Sequence, residues 1–340
     1  MHRSEVTVDL GALRRNVRTL RRAAGGAQLW AVVKANGYGH GMVDAAGAAL
    51  GAGAAGLCVA TIPEGLALRG DFRLERILVL GPASSSREVA LAREAGLELA
   101  IADEEIPEGV RVHLKLETGM NRYGLSELPA PPADVVGLMT HLATADTDLD
   151  FARAQLERFD AMTRGCAHLT RHAANSAATL RLPESHFDAV RCGVAVYGLS
   201  PFNTDPTDDG LEPVLSWQSF LAHVKQLQPG ESTGYGRRFA ADEPTWIGIV
   251  PVGYGDGFRR DLTGTEVRVG GELCPVVGTI SMDSFAVRLE RELPVGTPVV
   301  LLGHGVLAEN HAQVAETINY EVTCGVETGP LRARRTVVDG

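Results

Sequence analysis

The chain has 340 residues, 45% of them hydrophobic, which is enough apolar material for a packed core and excludes global disorder. Its formal charge of −10, from 32 basic against 42 acidic residues, argues against nucleic acid or an anionic membrane as the main partner. Only Lys34, Lys115 and Lys225 are lysines; the rest of the basic residues are arginines, which neither form a Schiff base nor lose a proton near neutrality, so each lysine is a candidate for chemistry that arginine cannot do.

The length suits one large domain plus a smaller one. Apolar runs predict strands at 28–35, 55–60, 76–81, 97–103, 110–118, 135–143, 168–175 and 189–198. Several are continuously apolar, as strands covered on both faces are. Ala/Leu/Arg/Glu-rich stretches such as 86–95 and 150–165 separate them and read as helices. Repeated β–α units over about 200 residues predict an α/β fold, a (β/α)8 barrel of the TIM type spanning 1–212. The fourth and fifth strands are joined only by the short link 104–109. After a linker at 201–213 the pattern changes to short Val/Ile/Thr-rich runs at 217–227, 245–252, 266–270, 273–280, 284–289 and 298–302, separated by Gly, Pro and Asp. This predicts a smaller all-β domain over 213–340.

The five cysteines are odd in number and scattered, with no C-x-x-C, so buried thiols in a reduced compartment are expected rather than disulfides or a zinc ribbon. No apolar run reaches the ~18 residues of a membrane span, and the N-terminus lacks a hydrophobic signal core. A cytoplasmic protein is expected. Residues 51–56, GAGAAG, match the dinucleotide fingerprint literally, but a helical stretch precedes them and a strand follows. That order is the reverse of what pyrophosphate binding needs, so the segment reads as a helix end and turn. His168 and His172 are four apart on a strand-like segment with no Glu after His168, so no metal site is expected.

Barrel enzymes place their chemistry at the C-terminal strand ends. By that rule Lys34 ends the first strand, Lys115 and Arg122 belong to the fifth, His141 to the sixth, Asn175 and Ser176 to the seventh, and Arg191, Gly193 and Val194 to the eighth. A lysine at the end of an apolar strand has the lowered pKa an amine nucleophile needs, whereas an ordinary strand-end lysine simply extends its head into water. Gly37, Gly39 and Gly41 allow backbone to approach a ligand closely. Ser176 and the amides near Gly193 follow the last two strands, where barrels often bind phosphate, although Ser176 also suits a helix N-cap.

The segment AVVKANGYGHG at 31–41 resembles the pyridoxal-phosphate attachment motif of alanine racemases. The resemblance extends through KLETGMNRYG at 115–124, THLATAD at 140–146, HAANSAA at 172–178, VRCGVAVYGLSP at 190–201, TGYGRRF at 233–239, VGYGDG at 252–257, VGTISMD at 277–283 and INYEV at 318–322. So many segments in order make the match specific. It implies a barrel carrying pyridoxal 5′-phosphate, a C-terminal β-domain and a head-to-tail homodimer with shared active sites, supplying D-alanine for peptidoglycan.

The same resemblance assigns roles. Lys34 holds the cofactor and is the base on the D-face of the substrate; Tyr235, from the partner chain, is the base on the L-face. His141 and Arg191 tune that phenol, whose ordinary pKa of ~10 is otherwise too high for a base. Arg191 faces the pyridine nitrogen, donating a hydrogen bond but no proton. Tyr38, Ser176, Gly193, Val194 and Tyr320 bind the phosphate. Arg122 approaches the phenolic oxygen and the substrate carboxylate, Lys115 is carboxylated at its amine and orients Arg122, and Met282 and Asp283 bind substrate from the partner. Tyr254 and Asp146 resemble residues lining the way in. The chain departs from the family at 332–335, RARR without the usual proline, and at Arg288, where an Asp is usual. The alternatives are a racemase of broader small-amino-acid specificity on the same scaffold and, from another class, a cofactor-free barrel aldolase using Lys34 for its own Schiff base.

Overall fold

Eight short parallel strands close a barrel in the computed structural model, which describes residues 2–340. They are preceded by β1, Glu5–Asp9, and are β2 Gln28–Val32, β3 Gly56–Val59, β4 Ile77–Val79, β5 Glu98–Ile101, β6 Val112–Lys115, β7 Val135–Met139, β8 Thr170–His172 and β9 Ala189–Cys192. They pair in sequence order, and β9 returns to β2 with Trp30 in register with Arg191. Every residue of β3, β4, β5 and β6 is buried, as parallel strands sandwiched between barrel interior and outer helices must be. Helices Met42–Gly51, Ile62–Asp71, Ser86–Glu94, Leu149–Thr163 and Ser176–Arg181 form part of the outer ring. The barrel is irregular on one side: neither the 104–109 link nor the segment between β6 and β7 contains a helix.

The fingerprint-like stretch closes the helix Met42–Gly51 and enters β3 through a turn with Gly53 at φ +96°. No pyrophosphate-facing helix N-terminus follows it. The expected strand 189–198 stops at Cys192, because Gly193 leaves the extended region (φ −109°, ψ −94°) and Val194–Tyr197 winds into a 3-10 turn.

The other unit is mostly sheet. Its strands after the barrel are β10 Leu215–Phe220, β11 His223–Leu227, β12 Ser232–Thr233, β13 Phe239–Ala240, β14 Thr245–Val250, β15 Glu266–Val269, β16 Glu272–Val277, β17 Phe285–Leu289, β18 Pro298–Leu302 and β19 Arg334–Val338. Nine strands form one sheet in the order β11-β14-β17-β16-β15-β18-β10-β1-β19. Phe258 stacks on Phe285 (centroids 4.3 Å) and packs against Trp217 and the buried His311.

Two features differ from the sequence reading. The second unit is not all strand: helices Ala308–Val314 and Asn319–Cys324 lie within it. Residues 2–12, expected with the barrel, group instead with 203–208 and 212–340, leaving 13–202 and 209–211 as the barrel unit. The reason is the alternation in EVTVD, which buries Val6 and Val8 while the backbone pairs antiparallel with β10 and parallel with β19. Among the described residues, no helix is long and apolar enough to cross a membrane.

Candidate active site

Lys34 follows the buried end of β2 and opens a turn of unusual handedness. Ala35, Asn36, Gly37, Tyr38 and Gly39 all have positive φ, between 52° and 86°. Left-handed backbone costs a non-glycine residue about 1–2 kcal/mol, so surrounding bonds must hold the turn. The Gly37 amide donates to Val33 O at 2.9 Å and Gly41 N to Asn36 O at 2.8 Å. Asn36 Oδ1 accepts from Met42 N, and Glu64 Oε1 accepts from Ala35 N at 2.8 Å. The other Glu64 oxygen takes the amides of Ala60 and Thr61. Glu64 thus clamps the residue beside Lys34. Glu64 also forms a capping box with Thr61 at the start of the helix Ile62–Asp71.

Tyr38, Ser176 and Gly193 converge. The Ser176 hydroxyl accepts from Gly193 N at 3.0 Å, and a Cβ at Gly193 would run into the Tyr38 hydroxyl. Ser176 does not cap its helix: Asn175 does, accepting from Ala178 N, which leaves the Ser176 hydroxyl for the Gly193 amide. Val194 begins the 3-10 turn beside it. Tyr197 stacks on Tyr38 (centroids 5.0 Å) and donates its hydroxyl to Val32 O, so Tyr38 is braced from behind. The result is a small concave group of hydroxyls and an amide after β8 and β9.

Cations gather beside it. Arg191 is 3% exposed and donates to His172 Nδ1 at 2.7 Å, to the carbonyls of Thr140, His172 and Ala173, and to His141 Nδ1 at 3.3 Å. Lys115 lies in β6, 7% exposed, with its ammonium 5.4 Å from the Tyr123 ring centroid. Burial, then the charges of Arg122 and Arg191, pull its pKa down to about 8. Burial followed by Arg191, Arg122, Lys115 and Lys34 lowers His141 to about 3, so it is neutral. Lys34, Lys115, Arg122 and Arg191 all lie close enough to His141 for their charges to act on it. Glu117, the acid acting on Lys115, is already taken up: despite burial, amides of residues 119–122 hold its carboxyl below the usual range, and they fold the Arg122 loop around it. An anion therefore suits this end of the barrel.

The remaining predicted residues belong to the β-rich unit. Tyr235, 72% exposed, starts a short turn after Gly234 (φ +77°), and its carbonyl accepts from the Thr279 hydroxyl at 2.8 Å. Met282 is 50% and Tyr254 43% exposed; Gly255 N donates to Met282 O. One loop, 278–284, thus carries Met282 and supports both tyrosine turns. Asp283 is held differently from a substrate ligand: its carboxylate bonds Arg332 at 2.7 Å and Arg3 at 3.3 Å, which keeps its pKa below the ordinary value. The buried Asp256 shares both arginines. Tyr320 lies half-buried in the first turn of the helix Asn319–Cys324.

The sequence reading singled out neither Glu98 nor His113, and treated His172 only as a rejected metal ligand. In the barrel these three residues run in a hydrogen-bonded line to Arg191.

Residues 8–201 match the model of the alanine racemase N-terminal domain and residues 214–335 that of its C-terminal domain. The chain is 40% identical to an alanine racemase of Symbiobacterium thermophilum, over 94% of this chain and 93% of that one. It is similar in structure to the biosynthetic alanine racemase from Pseudomonas aeruginosa (TM-score 0.93, 35% identity, 99% of each chain) and to the alanine racemase from Streptomyces coelicolor A3(2) (TM-score 0.88, 36% identity, 99% of this chain and 98% of that one).

Proposed function

The chain belongs to the alanine racemase family, and from that premise we propose that it interconverts L- and D-alanine using pyridoxal 5′-phosphate held by Lys34. The observation that carries the cofactor reading is the chemistry of the barrel mouth. Lys34, Lys115, Arg122 and Arg191 crowd together around the neutral His141. Beside them the hydroxyls of Tyr38 and Ser176 close on the backbone of Gly193, so tightly that a Cβ there would collide with the Tyr38 hydroxyl. That donor set, with the turn that begins at Val194, fits a doubly charged phosphate ester. When bound, pyridoxal phosphate withdraws electrons from the substrate's Cα–H bond.

The protein's own residues do the rest. Lys34 supplies the amine that anchors the cofactor and then moves a proton at Cα on one face. Tyr235 moves the proton on the opposite face. On its own unit it is the most exposed of the predicted site residues and its backbone is fixed, which suits a residue presented to a second copy of the chain in a homodimer. Arg191 offers an N–H to the ring nitrogen and has no proton to release. Arg122 orients the substrate carboxylate, assisted by the Met282 amide contributed by the partner chain of the homodimer. Asp283 acts indirectly, fixing that loop through Arg3 and Arg332. The D-alanine formed serves peptidoglycan synthesis in the cytoplasm.

Purified protein is expected to be yellow, to racemise either enantiomer of alanine by chiral chromatography, and after borohydride reduction to carry the cofactor's mass on the peptide containing Lys34. A colourless protein that pyridoxal phosphate does not reconstitute, with no interconversion, overturns the reading. Comparable turnover of serine and other small amino acids supports the broader-specificity alternative.

A further inference from the structure

The barrel interior contains a continuous polar line where branched aliphatic residues are the norm. At its floor Glu98, the first residue of β5, is 4% exposed. It bonds Arg111 Nε at 2.8 Å and Arg76 Nε at 3.1 Å. His113 Nε2 lies 2.9 Å from Glu98 Oε2, His113 Nδ1 lies 2.8 Å from His172 Nε2, and His172 Nδ1 lies 2.7 Å from Arg191 Nη1. Both imidazoles are fully buried. Trp30 packs edge-on against each, at 5.7 and 4.7 Å between centroids, with the Arg76 guanidinium over its other side. The line crosses β7 at Gly137, where any Cβ would collide with the His113 ring.

Donor counting fixes every proton in this line. A guanidinium only donates, so His172 Nδ1 accepts and its proton sits on Nε2. That proton is donated to His113 Nδ1, which leaves the His113 proton on Nε2, facing the carboxylate. No second proton fits on either ring: protonating His113 would force the His172 proton round to Nδ1, against the Arg191 N–H. The charged and titratable groups facing the pair are Glu98, Arg76, Arg111 and Arg191, and burial with those arginines favours neutral rings.

We propose that Glu98, His113 and His172 are positioning residues that set, from the barrel floor, the orientation of the Arg191 guanidinium. The carboxylate selects one tautomer in His113, that tautomer selects one in His172, and His172 then presents a lone pair that holds Arg191 in place. The catalytic meaning of this line rests on the proposed role of Arg191 at the cofactor ring; the tautomer assignment does not.

The test uses the full-length protein as purified, with 15N-labelled histidine, read by long-range 1H–15N spectra. In the parent both rings should be Nε2–H tautomers and neither should titrate between about pH 5.5 and 9. Glu98→Gln keeps a carbonyl acceptor for His113 while losing the charge that Arg76 and Arg111 face, so both tautomers should persist. Glu98→Leu removes the acceptor, and the Nδ1–H form should appear at both rings together. On the order of a tenfold lower kcat/KM is expected in Glu98→Leu than in Glu98→Gln, the scale seen when partners behind a functional group are removed. A merely structural ion cluster at the barrel floor predicts equal harm from both variants, since each loses the charge. An Nδ1–H tautomer or a titration near pH 6.5 in the parent, or equal behaviour of the two variants, overturns the proposal. Racemase activity with the wrong tautomers refutes the line alone, whereas correct tautomers without racemisation refute the function alone.

Discussion

Lys115 is an ionised group in an unfavourable place, and removing its charge has a calculable consequence. Burial, with Arg122 and Arg191, lowers its pKa from the ordinary 10.5 to about 8. Because the folded value lies below the unfolded one, the unfolded chain takes up this proton first as pH falls. Stability from this group is therefore full above about 10.5, declines between there and 8, and is lost below about 8. At ~1.4 kcal/mol per pH unit the gap sets an upper bound of about 3.5 kcal/mol, and residual solvent and relaxation reduce it to about 2. Methionine keeps the length of the stem without the charge. Lys115→Met should thus be about 2 kcal/mol more stable than the parent at pH 7, the difference vanishing toward pH 10.5. Urea unfolding at several pH values, in bicarbonate-free buffer and with unchanged slopes, measures it. The variant should also lose activity, since a site tuned for chemistry and a site tuned for stability diverge. A variant less stable at pH 7, or a difference that does not change between pH 8 and 10.5, refutes the reasoning. Adding bicarbonate provides a second arm: a carboxylated Lys115 would place a negative charge among Arg122 and Arg191, stabilising the parent and not the variant.

Two further substitutions probe the site. In Gly193→Ala the new Cβ lies 3.0 Å from Tyr38 Cζ and nearer its hydroxyl, and Tyr38 is backed by Tyr197, so about 1–3 kcal/mol of overpacking falls on the hydroxyl–amide group. Pyridoxal phosphate should then be lost at least tenfold more readily on dialysis, read by absorbance; equal retention counts against this group as the phosphate cradle. Arg191→Glu replaces a donor without a releasable proton by an acid beside the ring nitrogen, and should raise transamination, measured as pyruvate formed from alanine; no rise removes Arg191 from that role.

Much of the architecture was legible because it rests on local periodicity. Most of the runs that become β2 to β9 are recognisable since they are covered on both faces, β8 with its half-buried Thr170 and Arg171 being the exception, and the switch to short turn-bounded strands marks the second unit. What was missed depends on distant partners. EVTVD has a strand pattern, but nothing local says that it pairs with residues over 200 positions away in β10 and β19. The helices Ala308–Val314 and Asn319–Cys324 are only 7 and 6 residues long, too short for a periodic signal to separate from loop. Lys34 and Arg191 could be placed by the strand-end rule; the left-handed turn after Lys34 could not, because Ala35 and Asn36 adopt it only under the hydrogen bonds of Glu64 and Met42.

The line from Glu98 to Arg191 lay hidden for a different reason. Each member sits in a separate strand, and the rule that placed the site looks at strand C-termini, whereas Glu98 begins its strand and His113 is in the middle of one. Their polarity even weakens the apolar patterns used to find the strands. Read the other way, that weakness is the signal. A buried imidazole costs free energy unless both ring nitrogens are satisfied, so two buried histidines in alternate strands, His113 in β6 and His172 in β8, require partners inside the barrel. Gly137, unremarkable in a strand sequence, is what lets them meet, because any side chain there would part the two rings. Two of the three lysines, Lys34 and Lys115, drew attention to the mouth of the barrel by their scarcity, while Lys225 lies in β11; the polar residues that control Arg191 are found only by asking where each buried proton goes.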